Sequence, residues 1–216
     1  MKRPYVTINC AMSADGKIAS PSRRQLRISS EEDLQRMYRL RHESDAVLVG
    51  IGTILADNPK LTVKDSYVPH PKQPLRVILD SKGRTPPDAL ALNTVSNTLI
   101  LTTKGHKRAY EGPHIEVMEC QGDDEGFVDV KKALELLSQK GIQKLLVEGG
   151  GIVIWSFLEE KVVDDLFVYI GPCIIGGKDA PTVADGKGIH DENVLPLKII
   201  EVKQIGPGVL IHYRPC

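Results

Sequence analysis

The first place where this chain could do chemistry is Glu148-Gly149-Gly150-Gly151, one carboxylate followed by three glycines. Glycine lets a backbone approach a ligand closely, because no Cβ stands in the way. A helix beginning just beyond would aim unbonded N–H groups at the same spot, and that suits a phosphate. Glu148 is the only charge placed there. The spacing is not that of the dinucleotide fingerprint, since G-x-G-x-x-G would need Gly where Ile154 stands. A second carboxylate, Asp15, precedes Gly16, and Asp-Gly marks a turn. Cations come from Arg23, Arg24 and Arg27, in a polar segment that reads as a solvated loop or as a flap over an anionic ligand. Others come from Arg39 and Arg41, at the end of a predicted helix where they also suit the dipole.

Other chemistries are absent from the sequence. Gly171 to Gly176 has P-loop glycine spacing, but Gly177 occupies the lysine position and no Ser or Thr follows Lys178. The six histidines form no H-x-E or H-E-x-x-H element, and Pro172-Cys173 is not continued to a second Cys, so no metal site is expected. No G-x-S-x-G elbow occurs. Lys plus Arg and Asp plus Glu are 28 each, so no nucleic-acid partner is expected and any anion must be met locally. The four cysteines are far apart and suggest neither zinc nor disulfides. No signal-peptide core or membrane-length apolar run is evident, and a cytoplasmic protein is expected.

The elements that must position these residues alternate. Strands are predicted at Tyr5–Ala11, Ala46–Val49, Leu75–Leu79, Thr98–Thr102, Ile115–Met118, Lys144–Val147 and Asp165–Ile170, from β-branched and apolar runs bounded by turn residues. Lys198–Val202 and Val209–Tyr213 read as an antiparallel pair about Gly206-Pro207-Gly208. Helices are predicted from a capping box of Ser29 with Glu32 to about Glu43, over Val130–Lys140 with Gly141 just beyond, and over Ile152–Glu160. A short helix before Asn58-Pro59 and an extended Leu61–Lys64 complete the set. This is an α/β pattern with a central, mostly parallel mixed sheet flanked by helices, read as one domain over 1–216. Ligands of such sheets bind outside the carboxyl ends of the strands. The ends after Val49, Leu79 and Val147 carry Gly, Ser or Thr, which suits a long phosphate-bearing ligand such as a nicotinamide dinucleotide.

Four segments occur together in order: Met12-Ser13-Ala14-Asp15-Gly16-Lys17-Ile18-Ala19; Val49-Gly50-Ile51-Gly52-Thr53-Ile54-Leu55-Ala56-Asp57-Asn58-Pro59 with Leu61-Thr62-Val63; Val77-Ile78-Leu79-Asp80-Ser81; and Val147 to Gly151. With Val168 to Pro172 and Gly176-Gly177 they resemble the pyrimidine reductase family of riboflavin biosynthesis over nearly the whole chain. The resemblance implies a dihydrofolate-reductase-like fold, a homodimer, and NADPH as hydride donor, with NADH as the other candidate. It implies reduction of the ribose of a ribosylaminopyrimidine 5′-phosphate to a ribityl chain. No deaminase motif accompanies it, so the chain is similar to the stand-alone archaeal and fungal type, whose substrate is 2,5-diamino-6-ribosylamino-4(3H)-pyrimidinone 5′-phosphate.

Residue by residue, the resemblance places Met12, Thr53, Asp57, Ser81, Lys82, Gly83, Arg84, Gly149, Gly150 and Gly151 at the cofactor. It places Arg41, Leu61, Lys64 and Glu148 at the substrate, the two cations facing its phosphate. Glu148 and Asp15 are the candidates for proton transfer as the ribosylamine opens. Lys64 stands where fused bacterial enzymes often have Arg, and Arg27 where they have Trp. Two rival readings remain: a reductase of the same fold acting on the deaminated pyrimidine or a dihydropterin, and a cofactor-binding protein without catalysis.

Overall fold

Each of the nine predicted strands forms in the computed structural model, which describes residues 3–106, 108–189 and 194–216. In chain order the elements are β1 (Tyr5–Ser13), α1 (Glu31–Glu43), β2 (Ala46–Gly50), α2 (Ile51–Asp57), β3 (Leu75–Leu79), a 3₁₀ turn (Leu90–Leu92) and β4 (Thr98–Thr102). Then follow β5 (Ile115–Glu119), α3 (Val130–Gln139), β6 (Lys144–Gly149), α4 (Gly151–Glu159), β7 (Asp165–Gly171), β8 (Leu197–Ile205) and β9 (Gly208–Pro215). The strand order is β5-β4-β3-β2-β6-β1-β7-β9-β8. The fold class is the expected α/β arrangement with a mostly parallel sheet.

Contacts divide the chain into two compact units within what the sequence reads as one domain. The first comprises Met1–Tyr5 and Tyr38–Leu146, the second Val6–Met37 and Val147–Cys216. The boundaries fall inside β1, α1 and β6 rather than in linkers, which is why no composition shift announces them.

In the first unit β2, β3, β4 and β5 run parallel, with Ala46 beside Leu75, Arg76 beside Thr98 and Thr98 beside Ile115. β2 and β4 are buried at every position, as expected of strands covered on both faces. Val49, Ile54, Leu61, Ile78, Ile100 and Leu146 belong to one apolar core. The α3 cap is one the sequence reading did not name: Asp129 accepts from the N–H groups of Lys131 and Lys132. At the other end Gly141 takes φ +81°, as its position predicted.

In the second unit β1 lies parallel to β7, which lies antiparallel to β9, and β9 to β8. Here the start of α1 corrects the expected capping box by one residue. Ser30, not Ser29, caps the helix: its Oγ accepts from Asp33 N–H at 3.3 Å and its carbonyl from Leu34 N–H at 2.9 Å. Glu32 is tied to its own backbone N–H and to the Ser30 hydroxyl, which hold its carboxyl below the usual range. The basic loop after Ser20 is exposed from Pro21 to Arg27, and Arg27 pairs with Glu31 at 3.3 Å. Among the described residues no helix is long and apolar enough to cross a membrane, and no group of three or more His, Cys, Asp or Glu could hold a metal.

Candidate active site

In the first unit Arg41 and Lys64 come together around two tyrosines, while Leu61 lies in the apolar core. Tyr38 and Tyr67 stack with ring centroids 4.4 Å apart. The Lys64 ammonium lies 5.6 Å from the Tyr38 ring and 5.9 Å from the Tyr67 ring, and the Arg41 guanidinium 5.4 Å from Tyr38. Arg41 is buried and donates to Thr62 O at 3.0 Å. Its charge therefore fixes the strand-like segment that carries Lys64. Gln73 clamps the same segment from the other side, donating to Val63 O and accepting from Val63 N–H, both at 2.8 Å. Leu61 is buried at φ +53°, an uncommon conformation for a bulky side chain and a mark of local strain. The result is a rigid, cationic, aromatic-backed patch whose exposed member is Lys64. Such a patch can hold a phosphate by charge while the rings offer a flat apolar surface.

The segment from Asp80 to Thr85 forms a tight turn held from inside. Asp80 is fully buried, and its Oδ2 accepts from Thr85 N–H at 2.6 Å and Thr85 Oγ1 at 2.7 Å. Gly83 closes the turn onto Asp80 O at φ +61°, a conformation that favours glycine. Lys82 and Arg84 project as exposed cations. The Ser81 hydroxyl accepts from Val128 N–H at 2.9 Å, so one lone pair is already used structurally. Thr53 lies in the first turn of α2 and Asp57 is its last residue; both are half-buried.

In the second unit Glu148 is the penultimate residue of β6, half-buried, and Gly149 ends the strand at φ +96°. Gly150 caps α4 at φ +74°, ψ 140°. The first bond within α4 runs from Ile154 N–H to Gly150 O, so the N–H groups of Gly151, Ile152 and Val153 lead the helix. The third glycine departs from the expected role. A Cβ on Gly151 would lie 2.6 Å from both Asp185 Oδ2 and Thr182 O. Asp185 N–H bonds Gly151 O, and Thr182 donates to the Asp185 carboxylate through both N–H and hydroxyl. The space over Gly151 is thus filled by the chain's own 182–185 strap.

Asp15 also departs from its expected role. Its carboxylate accepts from Ser13 Oγ at 2.6 Å, Ile175 N–H at 3.1 Å and Gly176 N–H at 2.7 Å. The Ser13 hydroxyl first, then the Ile175 amide, pull its carboxyl down to about 2. A group so acidic and so fully engaged anchors a loop; it does not donate a proton near neutral pH. Met12 sits on β1 beside Ile170 of β7, half-buried.

The reading from sequence missed Tyr38, Tyr67 and Gln73 behind the cationic patch, Asp80 and Thr85 inside the turn, and the Thr182–Asp185 strap. Only the hydroxyl and carboxylate at Thr182 and Asp185, in a glycine-bounded loop, hinted at a turn of their own.

The chain is 42% identical to the 2,5-diamino-6-ribosylamino-4(3H)-pyrimidinone 5′-phosphate reductase of Archaeoglobus fulgidus over 98% of both chains. It is 38% identical to the protein of the same name from Methanothermobacter thermautotrophicus, again over 98% of each. Among solved structures, a Thermotoga maritima diaminohydroxyphosphoribosylaminopyrimidine deaminase/5-amino-6-(5-phosphoribosylamino)uracil reductase superposes with a TM-score of 0.83 at 30% identity; 99% of this chain spans 57% of that one. The Saccharomyces cerevisiae riboflavin biosynthesis reductase Rib7 shares the fold, with a TM-score of 0.76 at 23% identity, covering 99% of this chain and 90% of that one. A family model described as the RibD C-terminal domain matches residues 4–211, and the chain belongs to that family.

Proposed function

We propose that this chain, acting in the cytoplasm as a single-domain homodimer, reduces the ribose of 2,5-diamino-6-ribosylamino-4(3H)-pyrimidinone 5′-phosphate to the ribitylamino product, with NADPH as donor. The carrying observation is the clamped Arg41–Lys64 patch in a chain 42% identical, over 98% of its length, to a reductase named for that phosphorylated substrate. A chain with no net charge gathers no anion at long range, so a dianionic phosphate needs such a patch.

Bound NADPH supplies a hydride for the sugar C1′. The residues present suit it: Gly149 and Gly150 take conformations without steric cost to a close backbone approach, α4 presents its leading N–H groups, and Lys82 and Arg84 offer charge for a 2′-phosphate. The two exposed cations favour NADPH over NADH. Met12, Thr53, Asp57, Ser81 and Gly83 complete the cofactor set, and Gly151 contributes through its N–H, since its Cα is covered by the strap. Lys64 and Arg41 hold the phosphate, and Leu61 packs beside it. Glu148 handles the proton as the ribosylamine opens to an imine, with Asp15 holding the 175–176 loop.

The test is consumption of NADPH by the purified protein with the ribosylaminopyrimidine phosphate, its deaminated counterpart, dihydrofolate, or no second substrate. Turnover is expected with the first. Equal or better turnover of dihydrofolate or of the deaminated compound would overturn the substrate assignment, and binding of NADPH without any turnover would leave a cofactor-binding protein.

A further inference from the structure

Two basic segments follow neighbouring parallel strands of the first unit. The turn 81–85 comes after β3, and the loop 103–110 comes after β4. They are joined at both ends and in the middle. Ser81 O accepts from Thr103 N–H at 3.1 Å and from Thr103 Oγ1 at 2.7 Å. A Cβ on Gly83 would lie 2.5 Å from His106 O, so the two backbones touch there. Thr85 O accepts from the Tyr110 hydroxyl at 2.8 Å. Gly105 N–H donates to Glu119 Oε1 at 3.0 Å, which ties the loop to β5 as well.

The charge on this surface is one-sided. Neither segment contains an acid. Lys82, Arg84, Lys104 and Arg108 are exposed, and among the described residues none of the four is paired with a carboxylate. Cations gathered on two joined segments repel one another, and a compact anion relieves that repulsion. Arg108 is the member whose place is prepared. Its guanidinium lies 5.7 Å from the centroid of the Tyr110 ring, and the hydroxyl of that ring is bonded to the turn that carries Lys82 and Arg84. A guanidinium can grip a phosphate through two parallel N–H bonds, which an ammonium cannot. Ligands of open parallel sheets lie outside the carboxyl ends of the strands, where both segments stand. NADPH differs from NADH only by the phosphate on its adenosine ribose, so a cation that reads this group decides between the two.

We propose that Arg108, carried by the loop 103–110, joins Lys82 and Arg84 in reading the 2′-phosphate of NADPH. This rests on the NADPH reading above and adds a residue that sets the preference over NADH. The experiment is fluorescence titration of the full chain, Arg108→Ala and Arg39→Ala with NADPH and with NADH. Arg108 is exposed, so the fold tolerates its truncation, and an unchanged NADH dissociation constant verifies this. Arg39 is an exposed cation of α1 and controls for overall charge. The wild type is expected to bind NADPH more tightly than NADH. Arg108→Ala should cut that preference by about five-fold or more, and Arg39→Ala should leave it within about two-fold of wild type. A wild type without preference for NADPH would remove the NADPH reading and this site with it. A preference that Arg108→Ala shifts by less, or that Arg39→Ala shifts as much, would overturn this site and leave the NADPH reading standing.

Discussion

Lys64→Ala is the cleanest probe of the proposed phosphate patch. Lys64 is exposed, and among the described residues its ammonium meets two ring faces, at 5.6 and 5.9 Å from their centroids. Exposed contacts of this kind contribute about 0.5–1 kcal/mol each at most. The substitution should therefore lower Tm by no more than about 2–8 °C for a chain of this size. A charge-assisted hydrogen bond to phosphate contributes roughly 1.5–3 kcal/mol, so kcat/KM on the phosphorylated substrate should fall about 10- to 150-fold. On the dephosphorylated substrate the partner is already missing, and the fall should be below about three-fold. The NADPH dissociation constant should hold. Arg41→Ala is a poorer probe, because Arg41 is buried, bonds Thr62 O and packs on Tyr38; truncating it disturbs the segment that carries Lys64. Arg41→Lys keeps the charge and loses the fork, and separates the two effects. Steady-state kinetics of both variants on both substrates decide the matter. Equal losses on the two substrates would show that Lys64 does not read the phosphate, and that its placement over the tyrosines is a surface contact only.

Two further outcomes are expected. Asp15 has its carboxyl lowered from 3.8 to about 2, so the support it lends is fully present above about pH 4 and disappears as the pH falls through 2. Thermal melts across that window should fall more steeply for wild type than for Asp15→Asn; parallel curves would refute the anchoring role. Gly151→Ala drives a Cβ to 2.6 Å from Asp185 Oδ2 and Thr182 O, and overpacking of this kind costs about 1–3 kcal/mol. Its Tm should drop by about 2–12 °C, and an unchanged Tm would show that the strap yields freely.

Most of the frame could be read because its signals are local. A buried parallel strand is an apolar run between turn residues, and β2, β3, β4 and β6 are that. The clamp behind Lys64 was invisible for the opposite reason. Tyr38 and Tyr67 sit on different elements, and a tyrosine on a helix's apolar face looks the same whether it meets core or a second ring. Asp15 was ambiguous because what separates an acid from an anchor is the partner set, and two of its donors lie 160 and 161 residues along the chain. The missed α1 cap shows the limit even of local signals, since Ser29 and Ser30 each have an acid three residues on and the pattern cannot choose between them.

The glycine run shows why residue type alone under-describes a site. Three adjacent glycines suggest a single cause, a backbone opened to a ligand. Here they have two. Gly149 and Gly150 are glycine because their backbone lies at φ +96° and +74°, where a side chain would be strained whatever surrounds it. Gly151 is helical and could carry a side chain conformationally, but Asp185 and Thr182 occupy the room. The strap that fills this room also brings a carboxylate to the start of α4, where the helix dipole favours negative charge. A pyrophosphate arriving at that helix therefore meets a start already shared with the chain's own anion. On the proposed reading its grip comes from the turn at Gly149–Gly150 and from the N–H groups of Gly151, Ile152 and Val153, which the carboxylate of Asp185 leaves to be shared rather than free for the anion alone.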